Sequence, residues 1–525
     1  MNHYHAATKT LSMTSTVNIG IESSDEAFSR LVFDNSYARD LAGTYAPWKP
    51  QTWPQPQLVR LNQALAEELG LPAAALATPA GVAILAGNTV PEGAQPLAQA
   101  YAGHQFGHLS PQLGDGRALL LGEVIDRQGR RRDIALKGSG QTPFSRRGDG
   151  RAALGPVLRE YLVAEAMQAL GIPTTQALAA VTTGDMVQRE QPLPGAVLVR
   201  VASSHIRVGT FEFFAVRQDW DLLRRLIDYT IARHDPQWIG HPDRTLELLR
   251  GVAQRQAELV AQWMGVGFIH GVMNTDNMAL SGETIDYGPC AFMEGYDPAT
   301  VFSSIDTYGR YAYRNQPGIA QWNLARLADC LIPLIDDDGA RAVERATTVI
   351  DAFAGYYDRA WLAVMRAKLG LPEPVDADTD ADAADRALID ALLALLARDR
   401  VDFTLGFRRL STALRSEEQR WLGLFDAARP EAQDWLARWR SRLAASAGSN
   451  ETVATQMDRV NPLYIPRNHL VEAALAAASD QGDYAPFERL LAVISDPYRE
   501  RAEDAAFTVP APAEQTARYR TFCGT

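Results

Sequence analysis

Residues 269–277 read Ile269-His270-Gly271-Val272-Met273-Asn274-Thr275-Asp276-Asn277, and nine residues on, from 277 to 286, comes Asp286-Tyr287-Gly288. The surrounding stretch, 265–290, is rich in glycine and turn-forming residues, with short apolar runs that read as brief strands. Asn277 and Asp286 are two oxygen donors spaced like the ligands of a magnesium ion that bridges phosphates. On their own, the same residues would also serve as turn formers. What lies upstream decides between the two readings.

Upstream, Ala118–Val124 and Ile134–Leu136 are apolar runs flanking the charged turn Asp126-Arg127-Gln128-Gly129-Arg130, which predicts a hairpin. Lys137 ends its second strand. Pro156–Leu170 reads as a helix, with Pro156 in its first turn and Gly171 and Pro173 stopping it, and Glu160 lies inside it. Ala196–Val201 is a further strand, and Leu222–Arg233 and Thr245–Met264 are helices. This order, with a strand lysine, a helix glutamate, a loop asparagine and a later aspartate, resembles the layout of protein kinases. One position departs from it. The proton-accepting aspartate of a kinase belongs five residues before the metal-binding asparagine, and here that position is Val272. Valine takes no proton, so Asp276 is the substitute carboxylate, or the site is silent.

Longer motifs narrow the resemblance. They are Ala100-Tyr101-Ala102-Gly103-His104-Gln105-Phe106-Gly107, Gly114-Asp115-Gly116-Arg117-Ala118, Leu136-Lys137-Gly138-Ser139-Gly140, Leu158-Arg159-Glu160-Tyr161, Asp286-Tyr287-Gly288-Pro289 and Asn461-Pro462-Leu463-Tyr464-Ile465-Pro466-Arg467-Asn468. With them the chain resembles the SelO (selenoprotein O) family of pseudokinases, which are protein adenylyltransferases, over most of its length. The resemblance implies an α+β, protein-kinase-like bilobal fold with an N-terminal extension and a helical C-terminal region. It implies ATP bound flipped relative to a kinase, with AMP passed to Ser, Thr or Tyr hydroxyls of protein substrates. Gly114, Gly116, Arg117, Asp149 and Gly150 would then contact the nucleotide. Lys137 would hold phosphates, positioned by Glu160, and Arg200 and Arg207 would clamp the outer phosphates. Asn277 and Asp286 would bind Mg2+ or Mn2+, and Asp276 would accept the proton. Family members carry a selenocysteine or cysteine near the C-terminus, so a regulatory pair of Cys290 with Cys523 is a further implication. The motifs hold phosphates and say little about the base. UMP transfer from UTP at the same site, or a silent nucleotide-binding scaffold, therefore stand as alternatives.

Composition sets the outer bounds. The chain has 525 residues, 46% of them hydrophobic and 22% charged, which is ordinary globular usage. Its net charge of −12 gives no general attraction to nucleic acid, so an anionic ligand needs a local basic cluster. Arg117, Lys137, Arg200 and Arg207 supply one, and arginine forks suit phosphate oxygens. Three cysteines, Cys290, Cys330 and Cys523, form no disulfide framework and no Cys-x-x-Cys pair. The N-terminal stretch lacks an apolar signal core, and the run Ala391–Ala397 is too short to span a bilayer. These features predict a soluble, cytoplasmic protein with no nucleic-acid or membrane partner. By composition the chain divides into a polar tail (1–27), an N-terminal extension (28–100), an N-lobe (101–202), a C-lobe (203–371), an acidic linker (372–386) and a helical region (387–525). Leu58–Leu71 reads as an amphipathic helix. Asp376, Asp378, Asp380 and Asp382 superficially suggest a calcium loop, but its glycine and glutamate positions are Ala381 and Ala387, which favours a solvated linker. His104 and His108 read as structural, and Trp220, Trp238 and Trp263 as packing residues.

Overall fold

The computed structural model describes residues 28, 31–372, 379–444 and 448–522. Its centre is an antiparallel sheet. In chain order its strands are β1 (Tyr45–Pro47), β2 (Gln57–Leu61), β3 (Leu97–Gln99), β6 (Ala118–Ile125), β7 (Arg131–Lys137), β8 (Ala152–Ala153), β9 (Gln176–Gln188) and β10 (Pro192–Ala202). A small hairpin, β4 (Gly103–Gln105) with β5 (His108–Ser110), stands apart from it. The spatial order is β1-β3-β6-β7-β10-β9-β2, with β8 also on β10. The hairpin expected from residues 118–136 is β6–β7, and residues 28–100 are not separate from the sheet, because they supply three of its strands, both edges included.

Strand periodicity sorts the β10 side chains. Val197, Val199 and Val201 face a core built with Trp53, Leu65, Leu85, Ile134 and Leu136. Ala196 and Leu198 face the opposite core, which includes Leu158, Tyr161 and Leu162 of helix α1 (Leu154–Ala169). Leu198 lies opposite Lys137 in the ladder, and Arg200 follows two residues on. Lys137 and Arg200 therefore project from the same face, toward α1.

Beyond the sheet the chain is helical. Helices α2 (Val208–Val216), α3 (Trp220–His234) and α4 (Arg244–Val266) are followed by the two-stranded β11 (Phe268–Ile269) and β12 (Ala291–Phe292). Then come α5 (Gln316–Leu331), α6 (Gly339–Leu369), α7 (Thr379–Arg398), α8 (Arg429–Leu443), α9 (Asn468–Gln481) and α10 (Ala485–Ile494). The last two return to pack on α1. Among the described residues no helix is long and apolar enough to cross a membrane.

Two local readings need correction, and one strand carries no periodic signal. Leu58–Leu71 is not one helix: β2 pairs with β9, and only then does Asn62 start a short helix, Gln63–Glu68, by accepting the Leu65 amide at 3.0 Å. Strand β9 went unread because its Gln, Ala and Thr content carries little apolar alternation. The stretch read as a solvated linker is part helix, since α7 begins at Thr379, and Asp385 is fully buried against Arg366 (2.8 Å) and Arg442 (2.7 Å). Residues 373–378 of that stretch and the 1–27 tail lie outside the described residues.

Within the C-terminal region a buried ion pair ties the segment around 402 to the start of α9. Arg467, fully inaccessible, meets Asp402 at 2.5 Å and the Thr508 carbonyl at 3.0 Å, while Asp402 caps the helix Phe403–Arg408 through the Leu405 amide at 2.8 Å. Removing one partner leaves a buried charge unpaired, at a cost of about 3–5 kcal/mol. Arg467→Met is accordingly expected to lower the unfolding free energy measured in urea by an amount of that order, and Asp402→Asn added to it to recover part of the loss. An unchanged unfolding free energy in Arg467→Met would show that the pair does not hold these segments together.

Candidate active site

A cleft of about 1480 Å3 lies between the sheet, α1 and the loops at 272–289. Gly114, Gly116, Arg117, Lys137, Asp149, Gly150, Glu160, Arg200, Arg207, Asp276, Asn277 and Asp286 all line it. The residues singled out in the sequence, cysteines apart, thus converge on one site.

Its centre is the Asp286 carboxylate. Lys137 Nζ lies 2.5 Å from Asp286 Oδ1 and 2.5 Å from Glu160 Oε2. Arg200 Nη1 lies 2.8 Å from the same Asp286 oxygen and 3.3 Å from Glu160 Oε1. Arg207 Nη1 is 3.6 Å from Asp286 Oδ2 and donates to the Asp276 carbonyl at 2.9 Å. Burial alone would raise the Asp286 pKa, but Lys137, Arg200 and Arg207 outweigh it and hold the carboxyl well below its ordinary range. The residue sits at φ 67°, in the left-handed region, which turns its side chain back toward the three cations. Arg207 is packed over the Tyr101 ring at 4.4 Å, and its Nη2 is buried without a hydrogen-bond partner.

Arg200 is held from behind by a neutral histidine. Its Nε donates to His205 Nε2 at 3.2 Å, and His205 Nδ1 meets Asp133 Oδ2 at 2.9 Å. Burial, reinforced by Arg200, pushes the His205 pKa down to about 4 against the pull of Asp133. The neutral ring therefore donates through Nδ1 and accepts through Nε2.

Asp276 occupies a different environment. Its Oδ2 accepts from Gln105 Nε2 at 3.4 Å, and its Oδ1 is buried with no partner. Burial pushes its pKa up to about 7, although the Arg207 charge opposes the shift. A carboxyl poised near neutrality suits a proton acceptor. The β4–β5 hairpin covers it closely: a Cβ on Gly103 would fall 2.4 Å from Asp276 Oδ1. That hairpin is pinned by His104, whose ring meets Glu212 at 2.6 Å and whose amide donates to Thr275 Oγ1 at 2.6 Å. His104 is thus structural, while His108 is exposed on β5. Trp263 is buried and donates to Thr284 Oγ1 at 2.9 Å, and Trp220 and Trp238 pack on the core.

The Asn277 amide is fixed by donation from Nδ2 to the Val272 carbonyl at 3.0 Å. This leaves its oxygen for another partner, and Asn277 lines the cleft together with Asp286. An amide oxygen and a carboxylate, those of Asn277 and Asp286, are hard donors of the kind Mg2+ and Mn2+ take.

Two of the lining residues also have structural work. At φ 72° the absent Cβ of Gly114 would lie 2.3 Å from Phe144 Cγ, so the glycine admits the Phe144 ring while lining the cleft. Asp149 is engaged by Arg189 at 2.8 Å and receives the Arg151 amide at 3.0 Å, so it orders the loop at 149–151. Sequence reasoning missed Gln105, Tyr101 and Arg189 as site residues. The first two lie within a quoted motif, but no spacing rule marks them, and Arg189 is revealed only by the β9–β10 turn. Cys290 is fully buried outside the cleft lining, with its thiol pushed up to about 12 by burial, while its expected partner Cys523 lies outside the described residues.

Comparison with known proteins places the chain in a family. The family profile described as Protein adenylyltransferase SelO matches residues 27–495. A Protein nucleotidyltransferase YdiU of Cereibacter sphaeroides is 58% identical over 500 residues, covering 94% of this chain and 99% of the relative. One from Chromobacterium violaceum is 58% identical over 483 residues (92% and 99%), and one from Rhizobium leguminosarum bv. trifolii is 55% identical over 514 (98% and 100%). The protein is thus an enzyme of the nucleotidyltransferase class. Within that class, the chain belongs to the SelO family.

The contact at Gly103 is testable. Gly103→Ala forces the hairpin or Asp276 to move, and a displacement of about 1 Å at a reacting group costs on the order of 100-fold. Nucleotidyl transfer by Gly103→Ala is expected to fall by about that factor with the melting temperature nearly unchanged. Full activity would show that the close approach has no bearing on the reaction.

Proposed function

We propose that the enzyme transfers AMP from ATP to Ser, Thr or Tyr hydroxyls of protein substrates, from a kinase-like bilobal fold with the nucleotide flipped relative to a kinase. The observation that carries the reading is the charge balance of the cleft. Three cations, Lys137, Arg200 and Arg207, share two carboxylates, Glu160 and Asp286, and Arg207 keeps an unpartnered buried Nη2. A polyphosphate supplies the missing anionic acceptors. Arg117 stands on the same cleft wall.

In the proposed reaction the acceptor hydroxyl gives its proton to Asp276 Oδ1 as its oxygen bonds to the α-phosphorus. The bond from that phosphorus to the bridging oxygen breaks, and pyrophosphate leaves. Lys137, Arg200 and Arg207 hold the outer phosphates, so the α-phosphorus is presented to Asp276 rather than to Val272. When bound, a divalent cation at Asn277 and Asp286 supplies charge neutralisation of the leaving pyrophosphate. Glu160 keeps Lys137 extended across the cleft, and His205 keeps Arg200 from turning away.

The deciding experiment incubates the full chain and a cell lysate with α-labelled ATP, γ-labelled ATP and α-labelled UTP. Label retained from α-labelled ATP alone is expected. Retention from the γ position would mean phosphoryl transfer, preference for UTP would mean UMP transfer, and no label from any would mean a silent scaffold. Asp286→Ala is expected to abolish transfer. General-base help is worth roughly 10²–10⁴-fold, so Asp276→Asn should lower single-turnover transfer by about that factor while nucleotide affinity changes little. Near-normal transfer by Asp276→Asn would reject the base. Arg207→Ala should weaken ATP binding by about 1.5–3 kcal/mol and AMP binding less. Equal losses in calorimetry would place Arg207 away from the outer phosphates.

A further inference from the structure

A second cavity, of about 630 Å3, lies beside the cleft and shares Phe106 and Ile305 with it. The tip of the β4–β5 hairpin separates the two. Phe106 sits there at φ 51°, its amide donating to Asn274 Oδ1 and to Tyr311 OH, each at 3.2 Å. On one side of the tip Gln105 reaches Asp276; on the other, Arg310 lies under Gly107, its Cζ 3.6 Å from where a Cβ would stand. A ligand in the groove therefore runs past Phe106 into the site of transfer.

The groove is basic. Arg310 and Arg314 both line it, and neither makes an ion pair among the described residues. Arg310 stacks over Trp322 at 4.7 Å, which fixes its plane, and its Nε is buried with no hydrogen-bond partner. Arg314 is exposed. The one acid in the lining, Asp306, is buried and spends its oxygens on the Arg310 and Tyr311 amides, at 2.9 and 2.8 Å. Beside the arginines stand two apolar side chains left in water, Tyr308 at 97% and Ile305 at 53% exposure. One fixed cation and one exposed cation, flanked by exposed apolar surface on a chain of net charge −12, complement a short peptide stretch that carries a carboxylate and an apolar side chain together.

We propose that this groove is the docking site for the acceptor protein, and that it selects a target hydroxyl with acidic residues close to it in the chain. The proposal rests on the reading of the cleft as a site of transfer to protein hydroxyls, and deepens it by naming the class of acceptor sequence.

The test uses the full chain and two fluorescein-labelled peptides, each with one Ser beside a Leu, flanked in one by Glu and in the other by Lys. Anisotropy reads binding, and α-labelled ATP reads transfer. The Glu peptide is expected to bind at least about fivefold tighter than the Lys peptide, and Arg314→Glu to abolish or reverse that preference, with ATP affinity in calorimetry unchanged. Equal binding of the two peptides, or an unchanged preference in Arg314→Glu, overturns the proposal. So does displacement of the Glu peptide by a single-stranded oligonucleotide with the same dependence on Arg314. Selective binding without labelling of the peptide upholds the groove and overturns the reading of the cleft. Equal binding with equal labelling upholds the cleft and overturns the groove.

Discussion

Everything in the cleft is arranged around one carboxylate that three cations cannot leave alone. Asp286 holds Lys137 and Arg200 on one oxygen and draws Arg207 toward the other. Without it, three positive groups would crowd a low-dielectric space and repel one another. Each cation is braced from a different direction: Lys137 by Glu160 on α1, Arg200 by the neutral His205, and Arg207 by Tyr101 and the Asp276 carbonyl. Sheet, helix and loop are therefore tied together through charge at the place where they meet. The arrangement is stable yet incomplete, since its positive groups outnumber the acids they share, and this readies it for an anionic ligand.

The two aspartates show how position sets chemistry. Asp286 and Asp276 lie ten residues apart and border the same cleft, yet one is held ionised by surrounding cations and the other is lifted toward neutrality by burial. A pair of like groups driven to opposite protonation tendencies is the usual mark of divided labour, with one member binding charge and the other moving a proton. The Gly103 backbone packs directly against the Asp276 carboxylate, leaving no room for even a Cβ between them.

Part of the site is legible in spacing: Lys137 at a strand end, Glu160 inside a helix, and Asn277 and Asp286 in turns. Gly114, Gly116, Asp149, Gly150, Arg200 and Arg207 carry no such signal and are reached only through the resemblance of the longer motifs to a family. The Val272 departure also pointed to Asp276. What could not be read depends on contacts distant in the chain. The bulk of Phe144 against Gly114, the Arg189 brace on Asp149 and the Gln105 reach to Asp276 leave no periodic trace. In the same way, Asp382 and Asp385 looked solvated until Arg366 and Arg442 were seen to meet them. Acidic composition is a guide to exposure only where no distant arginine intervenes.

The sheet order carries a consequence for how the chain is made. Strands β1 and β2 come from the first part of the chain but take the two outer places, β1 beside β3 and β2 beside β9. On a ribosome, β2 emerges well over a hundred residues before the Ala179–Thr182 segment it pairs with. Its apolar residues must wait, unpaired, while the hairpin β6–β7 and helix α1 are synthesised. Such long-range pairing slows folding and exposes sticky segments in the interval. Strand β2, translated early, is thus among the last to dock, and the nascent protein has most need of chaperone shelter while residues 57–176 are being made.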